Sequence, residues 1–238
     1  MDARRIRALL QPFLLTAAAD PTAQEPLPEG SGTVASQALT DLQIEQISAY
    51  LDLLLRWNQR INLSAVRDAE EVVTRHFGES LFAARHLFPS AKDRRSSSRV
   101  IDVGSGAGFP GLPIKIWSSE VQLTLIESNQ KKATFLREVI RRLQLKDGAV
   151  FSGRAESFPD QAEVVTLRAV ERFENALTVV NRLVLPAGRV ALLIGAAQVP
   201  RARELARDIA WQPAATLPLA SNRVLMIGQK DPLVRRAD

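Results

Sequence analysis

Arg99-Val100-Ile101-Asp102-Val103-Gly104-Ser105-Gly106-Ala107-Gly108-Phe109-Pro110-Gly111 joins an apolar run to a turn dense in glycine. Val100–Val103 predicts a buried strand, and Gly104, Gly106, Gly108 and Gly111 follow it where a helix should begin. Glycines there let backbone N–H groups approach a ligand closely. Downstream, Val121–Ile126, Val150–Phe151, Val164–Leu167 and Val190–Ile194 read as further buried strands, with helical patterns between most of them. Trp211–Leu217 and Arg223–Gly228 read as two closing strands joined by a turn around Pro218–Asn222. This alternation predicts an α/β fold: a doubly wound, mostly parallel, Rossmann-like sheet over residues 99–238.

Upstream, residues 38–98 predict a helical segment. Thr40 and Gln43 form a capping box, and Leu42, Ile47, Tyr50, Leu51, Leu54 and Leu55 recur at helical spacing as far as Trp57-Asn58. Asn58–Arg67 reads as a structured turn, and a second helix runs from Asp68 to before Pro89. Residues 1–37 predict a short docking helix and then, over residues 16–37, a flexible connection rich in Ala, Pro, Gly, Ser and Thr. Arg4, Arg5 and Arg7 before Ala8-Leu9-Leu10 mimic a secretory signal, but Gln11 and Pro12 break the apolar segment.

Composition narrows the chemistry. Hydrophobic residues at 46% and charged residues at 24% suit a chain with one sizeable core. The absence of cysteine excludes disulfides and thiolate metal sites, and fits a reducing cytoplasm. His76 and His86 alone leave little material for a metal centre, so none is expected. No apolar run approaches the roughly 18 residues of a membrane helix, and no membrane partner is expected. A net charge of +5 favours an anionic partner such as nucleic acid.

The glycine turn admits two ligands. Gly106-x-Gly108-x-x-Gly111 formally matches the dinucleotide fingerprint. Against it, Gly104 makes the run Gly-x-Gly-x-Gly directly after an acidic strand end, and Pro110 removes an N–H where a pyrophosphate needs donors. S-adenosylmethionine carries no phosphate, and Asp102 is expected to favour its cationic sulfonium and amino groups. Glu127, ending the second strand, can accept both ribose hydroxyls of an adenosyl group, which NAD would share. Ser128 is expected to cap a helix running to about Leu143. On that helix Lys131, Arg137, Arg141 and Arg142 oppose the apolar arc, whereas Lys132 falls within it in the first turn, where it can meet a substrate phosphate at the crevice rim. Ala155 and Glu156 follow the third strand, and Arg168 ends the fourth. All three should face the same crevice, Ala155 and Glu156 bordering adenine, and Arg168 anchoring an anion or closing a strand-end salt bridge.

Taken together, Trp57-Asn58-x-x-Ile61-Asn62-Leu63, Arg75-His76, Asp102–Pro113 with Gly-Phe-Pro-Gly, Glu127-Ser128, Lys131-Lys132 with Phe135-Leu136, Arg154-Ala155-Glu156 and Arg168-Ala169 resemble the small-subunit ribosomal RNA methyltransferase G family. The resemblance runs from about Leu42 to Arg223. It implies N7 methylation of a guanine in the 530 loop of 16S rRNA, free or in the small ribosomal subunit, with S-adenosylmethionine as cofactor. It also implies cofactor contacts from Gly104, Phe109, Ala155, Glu156 and Arg168, with Gly106 and Gly108 in the same loop. Asn62 and His76 are candidates for the RNA side. Two departures stand out. Phe77-Gly78-Glu79 replaces the family's aliphatic pair and Asp, and Ile194 replaces a Lys before Gly195, which shifts RNA contacts to Arg201 and Arg203.

Guanine N7 bears a free lone pair, so attack on the methyl group needs no proton removal and no general base is expected. Catalysis should then come from positioning and water exclusion. A methyltransferase of another RNA, a small molecule or a protein, a nicotinamide-dependent reductase and a non-catalytic RNA-binding module are the rival readings.

Overall fold

The computed structural model describes residues 1–15, 38–169 and 173–233. The predicted connection over residues 16–37 lies outside them. The N-terminal half supplies α1 (Ala3–Leu14), α2 (Asp41–Asn58), α3 (Ala69–Glu71), a π-helical turn (Val72–Gly78), α4 (Glu79–Leu87) and α5 (Ala91–Arg94). Strands and helices then alternate: β1 (Arg99–Val103), α6 (Gly111–Trp117), β2 (Gln122–Ile126), α7 (Gln130–Arg142), β3 (Gly148–Phe151), β4 (Ala162–Arg168), α8 (Phe173–Leu183) and β5 (Val184–Gly195). The chain closes with α9 (Val199–Leu205), β6 (Ile209–Trp211), β7 (Ala215–Thr216) and β8 (Arg223–Lys230).

The sheet order is β3-β2-β1-β4-β5-β8-β6, with β7 also on β8. β1 to β5 pair in parallel, and β8 joins β5 antiparallel. The order of strand addition switches sides between β1 and β4, so the crevice opens at their carboxyl ends. Buried on both faces, these strands read as near-continuous apolar runs, which is why the sequence displays them.

Alternation along β1 sends Val100 to one core and Ile101 and Val103 to the other. Ile6, Leu10 and Phe13 of α1 share the first core with Ile44, Tyr50, Leu81, Leu125 and Phe135. α1 therefore caps the same apolar body as α2, α4, α6 and α7. Leu177, Val180 and Ala202 of α8 and α9 cover the other face.

The N-terminal helix α1 runs through Gln11 and Pro12 to Leu14. Two local expectations change. Leu42 points outward at 63% exposure, while Ile44 and Leu53 take inward places. Asn129, not Ser128, caps α7, its side chain accepting from the N–H groups of Lys131 and Lys132. Among the described residues, no helix is long and apolar enough to cross a membrane, and no group of three His, Cys, Asp or Glu is gathered to hold a metal.

Candidate functional site

The loop after β1 turns tightly, with positive φ at Gly104, Gly106 and Gly108. Gly108 requires glycine twice over: its φ is +92°, and a Cβ there would come within 2.4 Å of Leu112 and 2.5 Å of the Tyr50 hydroxyl. That hydroxyl donates to the carbonyl of Ala107, so α2 holds the loop from outside the sheet. From β2, the Ile126 carbonyl accepts from Ser105 N–H at 3.0 Å.

Glu127 is the second clamp. One carboxylate oxygen accepts from Gly106 N–H at 2.9 Å, and the other from Asn129 N–H at 2.7 Å. A carboxylate offers about four acceptor positions, so each oxygen keeps capacity for a hydroxyl. Glu127 lines a groove of about 300 Å³ with Gly104, Ser128, Ala155 and Glu156, all anticipated as neighbours. That is the lower end of small-ligand sites. Ile126, Ala176 and Val179 give it apolar walls, and Asn175 adds an amide. Asn175, Ala176 and Val179 were not foreseen. Their signal was topological, since α8 directly follows the switch-point strand β4.

Asp102 does not line the groove. It is fully buried beneath the loop, accepting from the Thr166 hydroxyl at 2.7 Å and from Gly111 N–H at 3.3 Å. Burial raises its carboxyl to about 6, against the pull of those hydrogen bonds. Phe109 also turns inward, its ring stacked on Tyr50 at 5.3 Å and edge-on to Phe77 at 5.1 Å. Gly106 and Gly108 shape the loop without lining the groove.

Arg168 leaves the strand end toward the π-helical turn. It donates to His76 Nδ1 at 3.0 Å, to the Arg75 carbonyl at 2.9 Å and to Glu79 at 3.2 Å. Glu79 also pairs with Arg223, and its side chain is 2% exposed. The expected strand-end salt bridge is thus the arrangement present. Burial pushes the Glu79 carboxyl up, and both arginines oppose that. His76 lies 4.9 Å from the Phe109 ring and 2.6 Å from the Ser64 hydroxyl. Burial first, then Arg168, holds its imidazole down at about 3.

The Trp57–Leu63 motif acquires a mechanical reading. Asn58 is buried, donates to the carbonyls of Ser64 and Val66, and accepts from the N–H groups of Leu63 and Ser64. It staples the turn that brings Ser64 to His76. Asn62 on that turn is exposed, and Lys132 is half-buried and outside the groove. Arg201 is committed to Glu174 and Glu204, and Arg203 is exposed on α9, across the sheet from α7. These residues form no single patch. Ile194 is 4% exposed within the second core, so its position calls for an apolar side chain. Gly78 is accounted for by Phe13, whose ring would lie 2.5 Å from any Cβ there.

A family model described as "rRNA small subunit methyltransferase G" matches residues 43–222. Relatives carrying the name "Ribosomal RNA small subunit methyltransferase G" include that of Exiguobacterium sp., 40% identical over 158 residues (64% of this chain, 63% of the relative). Another, from Roseiflexus castenholzii, is 45% identical over 138 residues, covering 56% of each chain. The alignments with these two span less than two thirds of the relatives' lengths. A third, from Xanthomonas campestris pv. campestris, is 35% identical over 189 residues (76% of this chain, 84% of the relative). Among solved structures, the ribosomal protein L11 methylase from Lactobacillus delbrueckii subsp. bulgaricus aligns with TM-score 0.54 at 12% identity (65% and 79% covered). M. jannaschii TYW2 in complex with AdoMet aligns at 0.52 with 14% identity (64% and 76%). At such identities the likeness concerns the fold alone, a Rossmann-like α/β sheet.

Proposed function

This chain belongs to the rRNA small subunit methyltransferase G family, and from that premise we propose that it methylates N7 of a guanine in the 530 loop of 16S rRNA in the cytoplasm, using S-adenosylmethionine. The observation that carries the cofactor reading is Glu127, clamped at the groove's edge with acceptor capacity to spare. The donor set fits an adenosyl group, with a carboxylate for ribose hydroxyls and apolar walls for adenine, and Pro110 at the start of α6 lacks the N–H that a pyrophosphate would use there. That favours a methyl donor over a nicotinamide dinucleotide.

Held by Glu127 and the groove beside Gly104, S-adenosylmethionine would supply a sulfonium-bound methyl group to the N7 lone pair, the C–S electron pair remaining with sulfur. The chain's part is placement. Glu127 and Gly104 orient the adenosyl end, and the Tyr50–Phe109 stack keeps the loop rigid. Asp102 supports the loop from below and neither gives nor takes a proton in the transfer. The base must reach the rim unpaired, since a stacked guanine in a duplex would not enter.

The test is mass mapping of small-subunit rRNA from cells lacking this protein, with transfer from labelled S-adenosylmethionine by the purified chain. Loss of one N7-methylguanine in the 530 loop, restored by the protein, is expected. An unchanged map would refute the assignment.

A further inference from the structure

Arg5 pairs with Glu70, Arg7 with Asp41, Arg99 with Glu163, and Arg201 with Glu174 and Glu204. Where α2 meets α7, cations without such partners flank an aromatic ring. Trp57, Arg60, Ile61, Lys131 and Thr134 line a groove of about 270 Å³ that contains no carboxylate. Arg60 and Lys131 are exposed, and neither forms an ion pair among the described residues. Arg56, in the last turn of α2, is likewise exposed and forms no ion pair among the described residues.

An indole flanked by two free cations and a hydroxyl is the combination that single-stranded nucleic acid uses: an aromatic face for a base and charges for the backbone. An acidic peptide would find the charges but would gain nothing from the ring. The groove also stands beside the cofactor crevice. Lys131 is the second residue of α7, whose cap Asn129 is held by Glu127. Trp57 packs edge-on to Phe135 at 5.6 Å, Phe135 lies 6.3 Å from Tyr50, and Tyr50 holds the glycine loop. Lys131, rather than Lys132, is the first-turn lysine on this groove.

We propose that the Trp57 groove is a stacking site for an unpaired nucleotide of the substrate RNA, with Arg60 and Lys131 meeting its flanking phosphates. The proposal rests on the RNA-methyltransferase reading and adds to it where the strand lies: across the α2–α7 face toward the glycine loop.

The experiment measures binding of a single-stranded 530-loop RNA fragment to the full chain at several salt concentrations. The variants are Arg60→Glu with Lys131→Glu together, Trp57→Leu and Trp57→Phe. The double charge reversal should weaken RNA binding at least about tenfold and lower the log–log salt slope by roughly 1.4, for two phosphates on a single strand. Trp57→Leu should weaken it about tenfold, and Trp57→Phe far less, because a smaller aromatic still stacks. S-adenosylmethionine affinity and the melting temperature of the charge-reversed protein should not move. If Trp57→Leu fails to fold, the charge reversal and Trp57→Phe decide. Unchanged affinity and slope in the charge-reversed protein overturn the stacking site while leaving the enzyme reading intact. A wild-type chain that neither binds the fragment nor methylates small-subunit rRNA overturns both.

Discussion

Arg168 donates a hydrogen bond to Nδ1 of His76 at 3.0 Å, joining the end of β4 to the π-helical turn. A guanidinium has no acceptor, so Nδ1 must be the bare nitrogen. The ring proton therefore sits on Nε2 and is donated to the Ser64 hydroxyl at 2.6 Å.

That neutral imidazole makes stability depend on pH. Its value in the folded protein, about 3, lies below the ordinary 6.5, so the unfolded chain accepts a proton that the folded one refuses. The contribution is complete above pH 6.5 and is lost as pH falls toward 3, at about 1.4 kcal/mol per unit. Urea denaturation of wild type and His76→Gln at pH 7.5 and 4.5 isolates it. The stability difference between the two proteins should shrink by roughly 2–3 kcal/mol at the lower pH. A constant difference contradicts the neutral, unprotonated imidazole.

Removing Glu79 strands two guanidinium groups. Its side chain is 2% exposed and pairs with Arg168 and Arg223, at 11% and 31% exposure. Glu79→Ala should cost about 3–5 kcal/mol, because uncompensated buried charge is left behind. Glu79→Asp, one methylene shorter, should recover part of that loss. Thermal melts of the three proteins make the comparison, and equal melting temperatures would dismiss the network.

Phe13 and Gly78 should behave as one unit. Gly78→Ala brings a Cβ within 2.5 Å of the Phe13 ring and should cost about 1–3 kcal/mol. Phe13→Ala should cost about 3–5 kcal/mol through the void it leaves. The double variant should be less destabilised than the sum, since the added methyl enters that void. Strict additivity in a denaturation cycle would show that α1 does not dock there.

Glu127→Ala should weaken S-adenosylmethionine binding at least about tenfold, as it removes the ribose acceptor and frees Gly106 and Asn129. Calorimetric titration measures this, and retained affinity would move the cofactor elsewhere. Glu127→Gln should fall between, one oxygen remaining to accept.

The rate of methyl transfer at saturating substrates should be level from pH 7 to 9. His76 titrates near 3 and Asp102 near 6, so both hold one state across that window. A basic limb abolished by a single substitution, with about a hundredfold loss of rate, would reveal a general base after all.

The strands were legible because a sheet buried on both faces writes each as an apolar run, and the glycine loop because few residues but glycine can make its turns. Sequence reading overextended the strand at Trp211–Leu217. Pro213, which has no N–H to donate, parts β6 from β7 there. Asp102 looked like a ligand contact, yet strand alternation turns it to the face shared with Val100, under the loop. The partners of Arg168 were hidden because His76 and Glu79 come from a distant segment, and no local pattern reports who meets across a fold. Gly78 read as a departure until Phe13 was seen to occupy the space.

β8, nearly the last described segment of the chain, lies inside the sheet, between β5 and β6. As the polypeptide leaves the ribosome, β1 to β5 can pair in turn, but the outer edge of β5 stays bare until residues 223–230 emerge. A chain released early would carry that open edge, a template for aggregation through strand addition. Residues 223–230 thus decide whether the edge left by the strands before them is covered.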